Sequence, residues 1–466
     1  MMGMRIIQDY ENVLERAEAV FGLMANFPDM ISDDELDGLT PFLTSNLRST
    51  IMSLMSDPGF RPAGIKFAKG LNWYLQGAMS AARGIDGKKL VCIPFTMPPE
   101  IVYCFENLWP LITEIVAFLA NAGLYGQMER YWDDALAIGV PDSLCAANAL
   151  AIGAFINPGL KPAAVVSNTV GSCNPNATSH AFLHNYLGIP QLILEKPADN
   201  TPEARDVYFQ RMKVLLREME ELAGEELDED RMRHVLENAY KAWELWDELW
   251  ELKKMKPCPV PNMFNLVADG TRLSMWGTER GIEIMQAVVD ACKERVEKGT
   301  YTAPEIARVY WSYIYYYTDF YELFNWFENR GISFLGQIIS VMFQPEPDFS
   351  SRDSMIRMLS EVTFDYTMTR QMGGGIISEQ WLGDIEGYIK ELDAEAAIYC
   401  GYHACKHAAG SNAYFRRELT KRAKIPTLSL QGDCFDKRIS APSYWQEEIV
   451  DFLNSVVLKG GNKIGP

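Results

Sequence analysis

One arrangement of elements is written twice in this chain, and it limits the folds available more than any other feature. A β-prone stretch, Ala163–Asn168, leads through a loop carrying Cys173 into a helix that ends near Leu187; Ile189-Pro190 and a second β-prone stretch follow. Ala396–Cys400 leads through a loop carrying Cys405 into a helix that ends near Ala423; Ile425-Pro426 and another β-prone stretch follow. The cysteine precedes Ile-Pro by 16 residues in the first copy and by 20 in the second. Strand, helix and strand in that order make a parallel pair with a crossover. A duplicated α/β module explains the echo; so does the loose self-similarity of any βαβ chain. Either way each cysteine falls just past the carboxyl end of a strand, where open α/β sheets bind ligands.

The rest of the chain is read around these two modules. Residues 1–86 form an N-terminal helical region, with apolar residues at helical spacing in Asp9–Met24, Ser45–Met55 and Ile65–Ala82. Residues 87–200 form the first α/β module, opening with a strand at Lys89–Pro94 and a helix after Pro98-Pro99. Lys161–Asn168 and Gln191–Leu194 are further strands, with a loop over Thr169–Ala177 and a helix over Thr178–Leu187 between them. Residues 201–304 are a helical insert, acidic over Thr201–Lys256 and helical again over Gly281–Lys298. Residues 305–466 form the second module, with β-rich stretches at Arg308–Ile314, Gly331–Phe343, Ala394–Cys400 and Ile425–Leu430, and a last helix at Ser443–Val457. The expected fold is α/β: two Rossmann- or flavodoxin-like parallel-sheet modules, a helical N-terminal region and a helical insert. A length of 466 residues suits two or three packed domains.

Charge narrows the function. The net charge of −19 repels phosphate backbones and anionic lipid, which excludes nucleic-acid and membrane-surface binding from the expected roles. No run of 18 apolar residues offers a membrane span, and Asp9, Glu11 and Glu15 stand where a secretory signal would be apolar. The expected location is the cytoplasm, where nine cysteines are free thiols or metal ligands rather than disulfides.

No GxGxxG follows a strand, and Gly373-Gly374-Gly375 lacks the lysine of a phosphate-binding loop, so ATP hydrolysis is not expected of this chain. No CxxCxxC ferredoxin spacing exists. Three cysteines nevertheless stand apart by position. Cys173 and Cys405 occupy equivalent loops, and Cys145, after Pro141-Asp142-Ser143, opens a helix whose N-terminus favours a thiolate. Cys92, Cys104, Cys258 and Cys292 read as buried structural thiols, and Cys400 and Cys434 as secondary ligands at a sheet edge. Four of the five histidines, His180, His184, His403 and His407, flank the two loop cysteines. Cysteine with histidine suits zinc; a cluster on cysteines alone leaves the histidines to donate hydrogen bonds or protons; surface histidines on helices need neither.

Five motifs in order then resemble a known family, the 2-hydroxyacyl-CoA dehydratases with the related ATP-dependent benzoyl-CoA reductases. They are Ile93–Ile101 (IPFTMPPEI), Asp142-Ser143-Leu144-Cys145, Ser167–Cys173 with Gly188-Ile189-Pro190, Ala396–Cys405, and Ile425–Arg438 (IPTLSLQGDCFDKR). The likeness spans residues 87 to 457 or so. It implies a [4Fe-4S] cluster on Cys145, Cys173 and Cys405, with one iron left open as Lewis acid and electron relay. It implies an iron-sulfur lyase subunit that eliminates water from a 2-hydroxyacyl-CoA thioester through a ketyl radical. The implied partners are a second homologous cluster-bearing subunit and a separate ATP-hydrolysing activator that delivers the electron.

Gln431 departs from the family's acidic residue before Gly432-Asp433, and the histidines near the loop cysteines are not a family feature. They make His180 and His403 the candidate proton donors. Trp311, Tyr313, Tyr315, Tyr316 and Tyr317 crowd one strand end, as core or as the wall of an aromatic pocket. Three alternatives stay open beside the dehydratase: a benzoyl-CoA-type reductase subunit, a non-catalytic double-cubane-like electron carrier, and a zinc protein.

Overall fold

A computed structural model describes residues 12–26, 45–123, 127–157, 160–168, 173–372, 379–458 and 463–465. The glycine run Gly373-Gly374-Gly375, residues 169–172 of the first cysteine loop and residues 9–11 lie outside these. Among the described residues, eight strands make two parallel four-stranded sheets of identical order. The first is β2-β1-β3-β4, from β1 (Lys89–Ile93), β2 (Leu108–Ile112), β3 (Ala164–Ser167) and β4 (Gln191–Ile193). The second is β6-β5-β7-β8, from β5 (Ala307–Trp311), β6 (Ile332–Phe334), β7 (Ala396–Tyr402) and β8 (Thr427–Gly432). The α/β expectation holds, and the echo read from the sequence is the β3–helix–β4 unit matched by the β7–helix–β8 unit.

Parallel strands covered on both faces should be apolar throughout. Accordingly β2, β3, β5 and β7 are buried at every position. β2 escaped the sequence reading because LWPLI carries Pro110 in its middle. Proline is tolerated in an edge strand, where its missing N–H breaks no central ladder, and β2 is an edge strand. Its outer side is closed by the helix Arg61–Ala82: the Ile112 amide donates to the Tyr74 hydroxyl (3.1 Å), and Trp109 Nε1 donates to the Tyr74 carbonyl (3.1 Å).

The acidic stretch expected over Thr201–Lys256 is two helices, Pro202–Ala223 and Glu229–Lys253. The break is local chemistry. Gly224 takes the left-handed conformation (φ 73°) that ends the first helix, and the Asp228 carboxylate caps the second by accepting from the Arg231 amide. A third helix, Glu279–Lys298, is capped by Thr278. Between them lies a helix the sequence reading missed, Asn262–Ser274. Eleven of its thirteen residues are buried, and its polar residues Asn262, Asn265, Asp269 and Arg272, though at helical spacing, lie on a face turned into the protein rather than toward solvent. Its polar side chains work inside the core instead. Asn262 Oδ1 accepts from the Phe334 amide (2.7 Å), and its Nδ2 donates to the carbonyls of Phe324 and Ile332.

Arg308 at the start of β5 joins the insert to the second sheet. Its guanidinium is 2% exposed and donates to the carbonyls of Lys253 (2.7 Å), Met255 (2.9 Å) and Leu392 (2.9 Å), and to Glu305. A buried charge is tolerated only when saturated in this way. Among the described residues, no helix is long and apolar enough to cross a membrane.

Candidate functional site

The carboxyl ends of both sheets open on one cavity of about 140 Å³. Phe95, Ile112 and Glu114 reach it from the ends of β1 and β2; Tyr313 and Tyr317 from the end of β5; Tyr402 and Cys405 from β7; Asp433 and Cys434 from β8. Cys145 and Cys173 complete that region of the wall. The three cysteines singled out by position therefore share one site, although 28 residues separate the first two and 232 the last two.

Each of the three is the N-cap of a helix: Cys145 of Ala146–Phe155, Cys173 of Asn174–Leu187 and Cys405 of Lys406–Arg422. The second helix begins one turn earlier than its sequence suggested, at Asn174 rather than Thr178, because Pro175 fits a first helical turn. Amides of Ala147 and Asn148 point at Cys145, that of Asn176 at Cys173, and that of Ala408 at Cys405 Sγ (3.5 Å). Three first turns thus direct partial positive charge at three sulfurs. Burial nonetheless pushes the Cys145 thiol up to about 12, helped by Asp433 and Cys405. Burial, with Cys145 beside it, drives Cys173 well above the ordinary thiol range. Vacant, these two sulfurs are protonated at neutral pH, and a cation that binds them must displace the protons.

Among the described residues, no three His, Cys, Asp or Glu side chains converge as the ligands of a single metal ion would. A tetrahedral zinc needs such convergence, with each sulfur about 2.3 Å from one centre. A multi-iron cluster binds each thiolate to a different iron, so its ligands stand farther apart. The donor set, three soft thiols at three helix N-termini around one cavity, fits a cluster of that kind.

Neither His180 nor His403 lines the cavity, although His403 lies near enough to Asp433, which does, to oppose the rise that burial gives that carboxyl's proton affinity. His180 is completely buried and does not line it. Its Nε2 meets Thr113 Oγ1 and its Nδ1 meets Ser167 Oγ, each at 2.9 Å, and burial lowers its pKa to about 4. It is a neutral brace between the ends of β2 and β3. His403 is exposed and also absent from the cavity wall; its amide donates to the Gly432 carbonyl. His184 contacts the Ile189 carbonyl, and His407 is half-buried.

The sequence reading passed over Glu114. It follows β2 directly, lines the cavity and is 8% exposed. Oε2 accepts from the Phe95 amide (3.0 Å), and the Asn176 side chain, hydrogen-bonded to the carboxyl, lowers its proton affinity. Burial outweighs this and raises its pKa to about 7. The signal for it lay in β2, whose Pro110 hid the strand and with it the strand-end position of Glu114. The aromatic cluster divides in two. Tyr313 and Tyr317 face the cavity, whereas Trp311, Tyr315 and Tyr316 pack in the core. Cys434 lines the cavity; Cys400 lies buried in β7 and does not.

Two parallel-sheet modules whose strand ends share a cysteine-walled cavity define an α/β protein with a ligand site between modules. Residues 94–452 match the family profile described as 2-hydroxyglutaryl-CoA dehydratase, D-component, and the chain belongs to that family. It is 25% identical over 258 residues to the α subunit of (R)-2-hydroxyglutaryl-CoA dehydratase of Acidaminococcus fermentans, covering 54% of this chain and 51% of that one. It is 19% identical over 300 residues to the (R)-phenyllactyl-CoA dehydratase α subunit of Clostridium sporogenes, covering 61% and 69%. It is also 19% identical over 285 residues to the lactoyl-CoA dehydratase α subunit of Anaerotignum propionicum, covering 59% and 65%. The match thus spans about half the length of the first relative and about two thirds of the others.

Proposed function

We propose that this chain is a cluster-bearing subunit of a 2-hydroxyacyl-CoA dehydratase, and that the cavity between the sheets is where the acyl thioester reacts. The observation that carries the reading is the convergence of Cys145, Cys173 and Cys405, each a helix N-cap, on one cavity that the Glu114 carboxyl also lines. The three cysteines are the proposed ligands of a [4Fe-4S] cluster. When bound, such a cluster supplies an electron and an iron open to an oxygen ligand.

The chain's own residues supply the rest. Glu114, beside Cys173 and the Asn176 side chain just past β2, is the proposed acid–base group in place of the histidines. Its pKa of about 7 lets it hold or release a proton at neutral pH, which is where a general acid–base works best. His180 and Thr113 fix the chain just before it. Phe95, Phe118 and Phe435 keep water from the thioester.

A homologous second subunit is proposed because three relatives carry the name of α subunits. A separate ATP-hydrolysing activator and a cytoplasmic location complete the proposal; all nine cysteines are free, as a reducing compartment would keep them. Aromatic residues in the wall favour one further reading, an ATP-dependent reductase of benzoyl-CoA type. The test is anaerobic turnover with the partner and activator co-expressed. Water loss from a 2-hydroxyacyl-CoA without net consumption of reductant supports the dehydratase; stoichiometric electron consumption supports the reductase. An iron-free chain that still completes the reaction refutes both.

A further inference from the structure

The charged groups among the described residues of the cavity wall are all acidic, beside neutral polar groups such as Asn148, Ser274 and Gln337. Among the described residues lining it there is no lysine, arginine or histidine, whereas Glu114, Asp269 and Asp433 all reach it. The segments next to it in sequence, 169–172 before Cys173 and 373–378 after Met372, contain no lysine, arginine or histidine either. Buried cations outside the wall are engaged with other groups, among them Lys196, whose Nζ donates to the Thr369 carbonyl (3.0 Å). Arg272 Nη1 pairs with Glu100 (3.2 Å) beneath Trp276 and Tyr366, and Lys253 lies over Trp246 and Trp250. The remaining wall is hydrocarbon and aromatic, including Phe67, Leu71, Phe118, Leu266, Leu273 and Phe435.

An acyl group that ends in a carboxylate would lose its hydration here, gain no cation and face three carboxyl groups. A charge buried without a partner is strongly disfavoured. An aryl or branched alkyl group would instead exchange water for apolar contact. Resting on the reading of the cavity as the thioester site, we propose that it selects an uncharged apolar acyl group, aryl or branched alkyl, and rejects a dicarboxylic one. The name of the A. fermentans relative specifies a dicarboxylic acyl group; the described wall of this cavity offers no cation to hold one.

The test compares three saturated thioesters that share the same CoA part: 3-phenylpropanoyl-CoA, 4-methylpentanoyl-CoA and glutaryl-CoA. Their dissociation constants are measured on the whole chain by calorimetry, before and after anaerobic reconstitution with iron and sulfide. The expected result is binding of the first two at least about 100-fold tighter than glutaryl-CoA at pH 7.5. Equal affinities, or a preference for glutaryl-CoA, overturn the inference while leaving the thioester site intact. Failure of every thioester to bind removes the underlying reading instead. Leu273→Phe, which fills the cavity, should weaken the phenylpropanoyl and methylpentanoyl thioesters and leave free CoA unaffected. If that variant does not fold, the ranking on the wild-type chain still decides.

Discussion

The Tyr313 hydroxyl lies 3.1 Å from Cys405 Sγ, buried at the end of β5, with its ring packed against Trp381, Tyr399 and Tyr402. Burial raises the phenol well above its ordinary pKa, so it keeps its proton, and toward a sulfur held as an iron-bound thiolate the hydroxyl would be the donor. A hydrogen bond to a ligand sulfur stabilises the more electron-rich state of a cluster. Tyr313→Phe removes only the oxygen. The reconstituted variant should retain its iron and show a lower midpoint potential, by tens of millivolts, since about 59 mV corresponds to a tenfold change for one electron. Tyr310→Phe, whose hydroxyl contacts the Gln337 carbonyl on the same strand, should leave the potential unchanged. Potentiometric titration followed by electron paramagnetic resonance checks both; identical potentials in the three proteins would show that the contact does not tune the cluster.

Cys173→Ser and Cys405→Ser should each lose most of the iron bound on anaerobic reconstitution. Cys292→Ser should keep it, because Cys292 is completely buried in the helix Glu279–Lys298 and absent from the cavity wall. Iron and sulfide per chain measure the difference. Equal content in all three variants is the outcome that sinks the ligand assignment.

Glu114→Gln should separate activity from stability. Loss of a positioned acid–base group costs about 10²–10⁴-fold in turnover. The stability effect has the opposite sign. A carboxyl whose pKa rises to about 7 on folding binds its proton more tightly in the folded state, so its contribution is present below about pH 4.5 and is lost as pH rises through 7. At pH 8 the glutamine variant should be more stable than wild type, by up to about 3 kcal/mol. Urea unfolding at pH 8 reads this, and a variant both fully active and no more stable would dismiss Glu114 from the site.

His180 gives the mirror case. Its pKa falls to about 4 on folding, so the unfolded chain takes up a proton that the folded chain refuses. Stability attributable to it is complete above about pH 6.5 and falls as pH drops toward 4. The full window amounts to about 3 kcal/mol. Replacing it by glutamine should lower stability at pH 7.5, since Thr113 and Ser167 lose a matched partner, and should flatten the loss between pH 6.5 and 4.5. Parallel unfolding curves of the apo chain at several pH values test this. An unchanged pH slope would mean that folding does not shift the pKa of the buried imidazole.

The paired units around Cys173 and Cys405 were legible because a buried strand, a breaker and a helix each leave a local mark, and those marks recur in order. Cys145 was legible as a helix start for the same reason. The helix Asn262–Ser274 and β2 were not. The first has polar residues turned into the core, where only tertiary partners such as Phe334 satisfy them. The second carries a proline that only an edge position permits.

The sequence alone determined the two parallel-sheet modules and which cysteines stand at strand ends, because backbone preference and hydrophobic period act over a few residues. Only the tertiary structure decided that these cysteines share a cavity with one another. It also set His180 behind the cavity wall and Glu114 on it, and it placed no cation among the described residues of that wall. Those outcomes depend on how two sheets, separated by the insert, face each other. Burial, which sets the proton affinity of every group in the site, exists only after they do.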